Sequence, residues 1–156
     1  MRRRPGFLLI MVLMVATLLL TMGLGFLGSR AGQYQSTAQS VLAIQARGLA
    51  RSGLEDVRVK LNHDSSFPPT PAMGQTVFSY AEDLSDTHGV FIGSYRIKID
   101  STFLGAPYSL LNVTSTGLVG PRGAPTAAHT YRAYIDLDPA SPLYFQIVRW
   151  DDLGTQ

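Results

Sequence analysis

Cysteine is absent from the 156 residues, which excludes a disulfide framework, a thiolate metal site and a lipidated N-terminal cysteine. It leaves the redox compartment open. Catalytic groups are equally scarce. His63, His88 and His129 are the only histidines, none has a helical partner four residues away of the kind zinc requires, and they read as surface or turn residues. Ser115, Thr116 and Gly117 lack the Gly-x-Ser-x-Gly pattern of a nucleophile elbow and read as a turn. There is no Gly-rich phosphate loop. The expectation is a protein that is not an enzyme and has no cofactor. Glu82 with Asp83 and Asp86, Asp136 with Asp138, and Asp151 with Asp152 are pairs of oxygen ligands. They match no EF-hand spacing and read as solvated loop carboxylates, with calcium as the alternative and no metal site assigned.

Charge is also sparse, with 13 basic and 11 acidic side chains, and it is unevenly placed. Arg2, Arg3 and Arg4 precede a stretch from Phe7 to Leu27 of 21 residues without a charge. At 1.5 Å per residue that stretch reaches about 30 Å, the thickness of a bilayer's hydrocarbon core. The arginine cluster in front and the lone Arg30 behind favour a cytoplasmic N-terminus. Removal of a leader ending at Gly6 would leave 10 basic against 11 acidic side chains, so the pI of 9.1 implies no nucleic-acid partner.

Three readings of the apolar segment stay open. A cleaved secretory signal has an apolar region of about 7 to 15 residues before a small-residue site; this one is longer, although Gly23, Gly25, Gly28 and Ser29 follow. A plain signal anchor accounts for the span alone. The third reading includes what comes next. Ala38, Leu42, Gln45, Leu49, Gly53, Val57 and Leu61 recur every three or four residues, with Val41, Ala46, Ala50 and Leu54 beside them. No proline lies between Phe7 and Leu61. The pattern predicts one helix over 7–61, roughly 80 Å long if continuous, its membrane half leading into an amphipathic half.

The N-terminus, Pro5-Gly6-Phe7-Leu8-Leu9-Ile10 behind a short basic leader, resembles the cleavage region of type IV pilins and type II secretion pseudopilins. The resemblance implies a leader over 1–6, cleavage by a prepilin peptidase after Gly6, and a methylated Phe7 as the new N-terminus. Gly6 suits that role because it leaves the backbone open to the peptidase. The family usually carries a glutamate at the fifth residue after the cut, where this chain has Met11, and a basic or polar residue where it has Pro5. Lack of that glutamate resembles minor subunits at filament tips. The stretch Gln-Ala-Arg-Gly-Leu-Ala-Arg-Ser-Gly-Leu-Glu-Asp-Val from Gln45 resembles PilX-like and K-type minor pilins. Gly28 and Gly32 read either as a close helix-packing pair or, with Gly23 and Gly25, as a weak point in the helix.

Breakers over 62–75 end the helix, and the C-terminal domain is expected over 62–156. Tyr95, Ile97 and Ile99 alternate with polar residues as a half-buried strand; further strands are expected over 108–115 and 130–137, with a long turn marked by Gly117, Gly120, Pro121, Gly123 and Pro125. The tail 143–150 reads as a fourth, edge strand or as a docking surface anchored by Trp150. Asn112-Val113-Thr114 is a glycosylation sequon inside a strand. The fold class is α+β, a long N-terminal helix packed on an antiparallel sheet of 3–4 strands, and the strand, Ser-Thr-Gly turn, strand series resembles small minor pilins. The resemblance implies a minor pilin or pseudopilin that initiates or caps a type IV pilus or type II secretion pseudopilus. Its partners would be prepilin peptidase, other pilins or pseudopilins, membrane lipid and an inner-membrane assembly platform with a separate ATPase. Localisation would be the bacterial inner membrane, with the C-terminal domain exported. The alternative is a single-pass membrane protein whose exported binding domain does not polymerise.

Overall fold

The computed structural model describes residues 5–64, 66–69, 75–105 and 107–155. Helix α1 runs from Pro5 to His63, with proline at its first position, where a missing N–H leaves no bond unmade. Gly23, Gly25, Gly28 and Gly32 are all helical. Lys60 and His63 lie in the last turn, where positive charge complements the carbonyl end. There the Asp64 amide donates to the Lys60 carbonyl at 2.9 Å. Asp64 Oδ1 then accepts from the amide and hydroxyl of Ser66 at 2.8 and 2.6 Å, which turns the chain out of the helix. The expected breaker loop thus begins after His63; residues 65 and 70–74 lie outside the described residues.

Five strands follow: β1 (Val77–Ser85), β2 (Phe91–Asp100), β3 (Leu110–Val119), β4 (Ala127–Asp136) and β5 (Ile147–Thr155). They form one sheet in the order β1-β2-β3-β4-β5, every neighbouring pair antiparallel. The fold is α+β, as expected, with five strands rather than three or four. The chain divides into two compact units, Met1–Ser40 and Val41–Gln156. The second unit holds the sheet and the last part of α1.

Three differences from the sequence expectation have physical causes. Strand β1 is unexpected because Glu82 interrupts the alternation of Phe78, Tyr80 and Leu84, and an acidic residue on an inward face argues against a strand. Ser115, Thr116 and Gly117 do not turn; they lie inside β3, paired with Ile97, Arg96 and Tyr95. The last strand starts at Ile147 instead of Leu143. Leu143 to Gln146 form a turn closed by the Gln146 amide on the Leu143 carbonyl at 2.8 Å, with Phe145 at φ +60°.

In the second unit the inward residues of three strands meet the last turns of α1. Ala50, Leu54, Val57 and Leu61 pack with Ile97 and Ile99, Leu111 and Val113, and Ala133 and Ile135. A smaller cluster joins Ala46, Leu49 and Val119, with Leu42 half-buried against it. The buried stripe therefore starts at Ala46, and Ala38, Val41 and Gln45 are exposed.

The helix approaches the sheet at backbone distance. A Cβ on Gly117 would overlap the Ala46 carbonyl and the Ala50 amide. One on Gly53 would fall 2.5 Å from Ser115 Oγ and 2.8 Å from Ile97 Cδ1. Gly48, by contrast, faces open space. In denaturation of the full chain in detergent, Gly117→Val should cost about 3 kcal/mol or more, because backbone atoms have nowhere to move. Gly48→Ala should gain up to about 1 kcal/mol from helix propensity alone.

Candidate functional site

The first unit carries the segment that the sequence singles out. α1 contains a helix long and apolar enough to cross a membrane, near the N-terminus. Its side chains from Phe7 to Leu27 are exposed within this chain. Thr17 and Thr21 lie inside this apolar run. The Thr17 hydroxyl donates to the Leu13 and Met14 carbonyls at 3.1 and 2.9 Å, and the Thr21 hydroxyl to the Leu18 carbonyl at 2.9 Å. Both hydroxyls are thus satisfied inside the helix, as a lipid environment demands. At the far end the Arg30 guanidinium sits 5.1 Å from the Phe26 ring centroid, where an amphipathic side chain can reach an interface.

Gly6 and Phe7 lie in the first turn of α1. Phe7 and Met11 are one turn apart, hence on one side of the helix, and both are more than half exposed. No carboxylate accompanies them. The leader arginines Arg2, Arg3 and Arg4 lie outside the described residues.

In the second unit the structure assembles a polar network that sequence spacing only hinted at. Asp56 and Lys60, four residues apart on α1, form an ion pair at 2.7 Å. Across the interface Tyr80 donates its hydroxyl to Asp56 Oδ2 at 2.8 Å, and Tyr95 donates to Glu82 Oε2 at 2.7 Å. Lys60 completes the circuit, bonding Glu82 as well and lying 4.1 Å from the Tyr80 ring centroid. Helix and edge strand are joined by charge where the apolar core ends. Burial, then the hydrogen bond to Asp56, pushes the Tyr80 hydroxyl well above its ordinary range; burial and Glu82 do the same to Tyr95. For Lys60, burial acts to lower the value, and the bonds to Asp56 and Glu82 outweigh it and leave it raised.

The remaining acidic residues are engaged locally. Asp86 Oδ1 accepts from the His88 and Val90 amides, each at 2.8 Å, and shapes the β1–β2 turn. Asp83 pairs with Arg122 at 2.9 Å, and Asp136 accepts from the Asp138 amide at 2.9 Å. Among the described residues no three potential ligand side chains converge on a metal-sized site. His63 and His88 are exposed as expected. His129 is a correction, because it is 1% exposed on the inward side of β4. Its Nε2 lies 3.0 Å from Asp152 Oδ1 without hydrogen-bond geometry, and its ring packs 4.7 Å from Tyr131. Position 129 is inward because it shares the parity of Tyr131, Ala133 and Ile135, a signal already present in the alternation.

No protein-family model, curated protein or solved structure matches the chain. Trp150 sits opposite Ala133 in the β4–β5 ladder, its ring 4.8 Å from Tyr131, so the tail closes one edge of the sheet.

Two outcomes check the network. Tyr80→Phe should lower stability by about 1 kcal/mol, the usual worth of a hydrogen bond to a partner that keeps another donor. In alkali the folded state holds protons on Tyr80, Tyr95 and Lys60 that the unfolded chain releases above its ordinary values of 10.0 and 10.5. Their stabilisation is fully present below about pH 10 and is lost as pH rises. Melting temperature should fall steeply from pH 10 upward, and less steeply in the Tyr80→Phe, Tyr95→Phe double variant.

Proposed function

We propose that the chain is a minor pilin or pseudopilin, a structural subunit that initiates or caps a type IV pilus or type II secretion pseudopilus. The observation that carries the reading is a single helix with two environments. Its first part exposes an unbroken apolar surface from Phe7 to Leu27, and its last turns are buried on a meander sheet. A helix with this division can be held by lipid first and by neighbouring helices later, since both cover the same apolar surface. The Pro5-Gly6-Phe7 sequence at its start supplies a place for prepilin peptidase to cut, exposing Phe7 for methylation.

In this reading the N-terminus is cytoplasmic, the second unit is exported, and the subunit sits in a bacterial inner membrane before extraction into the filament. Energy for extraction comes from a separate ATPase on the assembly platform. Met11 replaces the carboxylate that ordinary subunits direct at a neighbour's terminal amine. A subunit without that charge need not dock behind another, which favours the tip. Gly23, Gly25, Gly28 and Gly32 weaken the helix by about 1 kcal/mol each relative to alanine, so the segment can loosen during entry at modest cost.

Co-expression with a prepilin peptidase and intact-mass measurement test this directly. The chain should lose residues 1–6, and Gly6→Val should retain them. Retention of residues 1–6 in the unsubstituted chain rejects the proposal in favour of a non-polymerising membrane anchor, and cleavage near Ser29 favours a secretory signal. Met11→Glu should move the subunit from the filament end to positions along the shaft, scored by immunogold labelling.

A further inference from the structure

The end of the sheet at which α1 finishes is closed by two loops, 101–109 between β2 and β3 and 137–146 between β4 and β5. The loops are tied together, since the Leu137 amide donates to the Ser109 carbonyl at 2.9 Å. Leu104 of the first and Tyr144 and Phe145 of the second meet Leu61 of α1 around one small cavity. Phe103, Leu104 and Tyr108 on the first loop and Leu143 and Tyr144 on the second are all exposed. The two loops together contain one charged side chain, Asp138, and no lysine or arginine. Apolar side chains gathered in this way mark a surface that another phase or molecule covers.

The backbone of the second loop points to what covers it. From Leu137 to Gln146 every residue either is proline or gives its N–H to an acceptor within the chain. Asp136 Oδ1 takes the Asp138 amide and Asp138 Oδ1 the Ala140 amide, each at 2.9 Å, and Ser141 Oγ takes the Leu143 amide at 3.1 Å. The Ser141 carbonyl accepts from Tyr144 at 3.2 Å and the Leu143 carbonyl from Gln146 at 2.8 Å. In the first loop the Thr102 and Leu104 amides go to Asp100 Oδ1 and the Ser101 carbonyl, each at 3.0 Å. A loop in water can leave donors to the solvent, whereas a loop that enters an apolar phase must satisfy them itself. A protein partner fits less well. Protein interfaces carry about one hydrogen bond per 100–200 Å², and the second loop has no free N–H to offer. Acidic headgroups find no cation here either. Tyrosine, with an apolar body and a hydroxyl tip, suits the boundary of an uncharged bilayer.

We propose that this end of the second unit inserts into the interface of a zwitterionic lipid bilayer. Leu104 and Leu143 enter the acyl region, Tyr108 and Tyr144 keep their hydroxyls among the headgroups, and the Asp138 carboxylate stays outside with its bond to the Ala140 amide. The inference concerns the second unit alone and stands whether or not the chain is cleaved after Gly6.

The chain has no cysteine, so Ala140→Cys places one environment-sensitive dye on the second loop of the full chain, reconstituted in phosphatidylcholine vesicles. Brominated phosphatidylcholine, in the host vesicles or in added protein-free vesicles, should quench this dye. A dye at Ala81→Cys, in the middle of β1, should be quenched far less. The Leu104→Asp, Leu143→Asp double variant should cut the quenching about tenfold, since two apolar side chains no longer favour the lipid. Both leucines are exposed, so its melting temperature should match the parent's; Tyr108→Ser carries a several-fold loss should the double variant unfold. Quenching should persist in about 0.5 M salt, where attraction between exposed charges is screened, and should not require phosphatidylglycerol. No quenching from either lipid population overturns the proposal, as does equal quenching at Ala81→Cys. Quenching that ignores these substitutions, or that vanishes in salt, overturns it too. A dye whose emission shifts with protein density but is not quenched by brominated lipid points to a second copy of the chain and likewise overturns it.

Discussion

The second unit depends on the seating of α1 directly against the backbone of β3. Ala46, Ala50 and Gly53 present almost no side chain on one side of the contact, and Ser115 and Gly117 present little on the other. Small residues at a crossing let two elements approach until larger neighbours on either flank interdigitate at interior density. Leu54, Val57 and Leu61 fill one flank, and Leu49 with Val119 fills the other. The contact also fixes rotation, because a shift of one residue along a helix turns its face by about 100°. In the observed setting Asp56 and Lys60 point at Tyr80 and Glu82. Close packing at the centre of the interface thus aligns the charged network at its end, and the network in turn holds edge strand β1.

The two units solve the hydrophobic problem in opposite ways. From Ala46 onward, the apolar stripe of α1 is covered by the chain's own sheet. From Phe7 to Leu27 apolar side chains are exposed throughout, and the segment is long and apolar enough to cross a membrane. Polar atoms within that stretch have partners already, as Thr17 and Thr21 show. Exposure on this scale is a statement about surroundings, since apolar area left in water would oppose solubility. The proposed filament role takes this helix as its starting point, and its remaining support is the short sequence around Gly6.

Much of the architecture is legible in the sequence. Helical spacing announced α1 to within two residues of its end, and alternation announced the inward positions of β2 and β4. Legibility failed where a residue's meaning depends on what stands opposite it. Gly117 carries the usual mark of a turn, and it is a glycine because the Ala46 carbonyl lies where its side chain would be. Glu82 looks like a solvent residue and is exposed, yet on the helix-facing side of β1 it bonds Lys60 and Tyr95. His129 looked like an isolated surface histidine, although its parity in β4 already placed it inside. The unexpected strand and the shifted tail share that cause: β1 needs a partner for its acid, and β5 begins only after the turn at Phe145.

Sequence alone determined the apolar helix, its amphipathic continuation and the alternating strands, because periodicity is local and each follows from side-chain direction along one element. The resemblance at Pro5-Gly6-Phe7 is equally local. Tertiary structure alone decided which small residues touch, which carboxylates bridge helix and sheet, and which polar groups of neighbouring strands share one face. Those are relations between strands and helix, set by register and by distances of a few ångströms, and no single segment contains them.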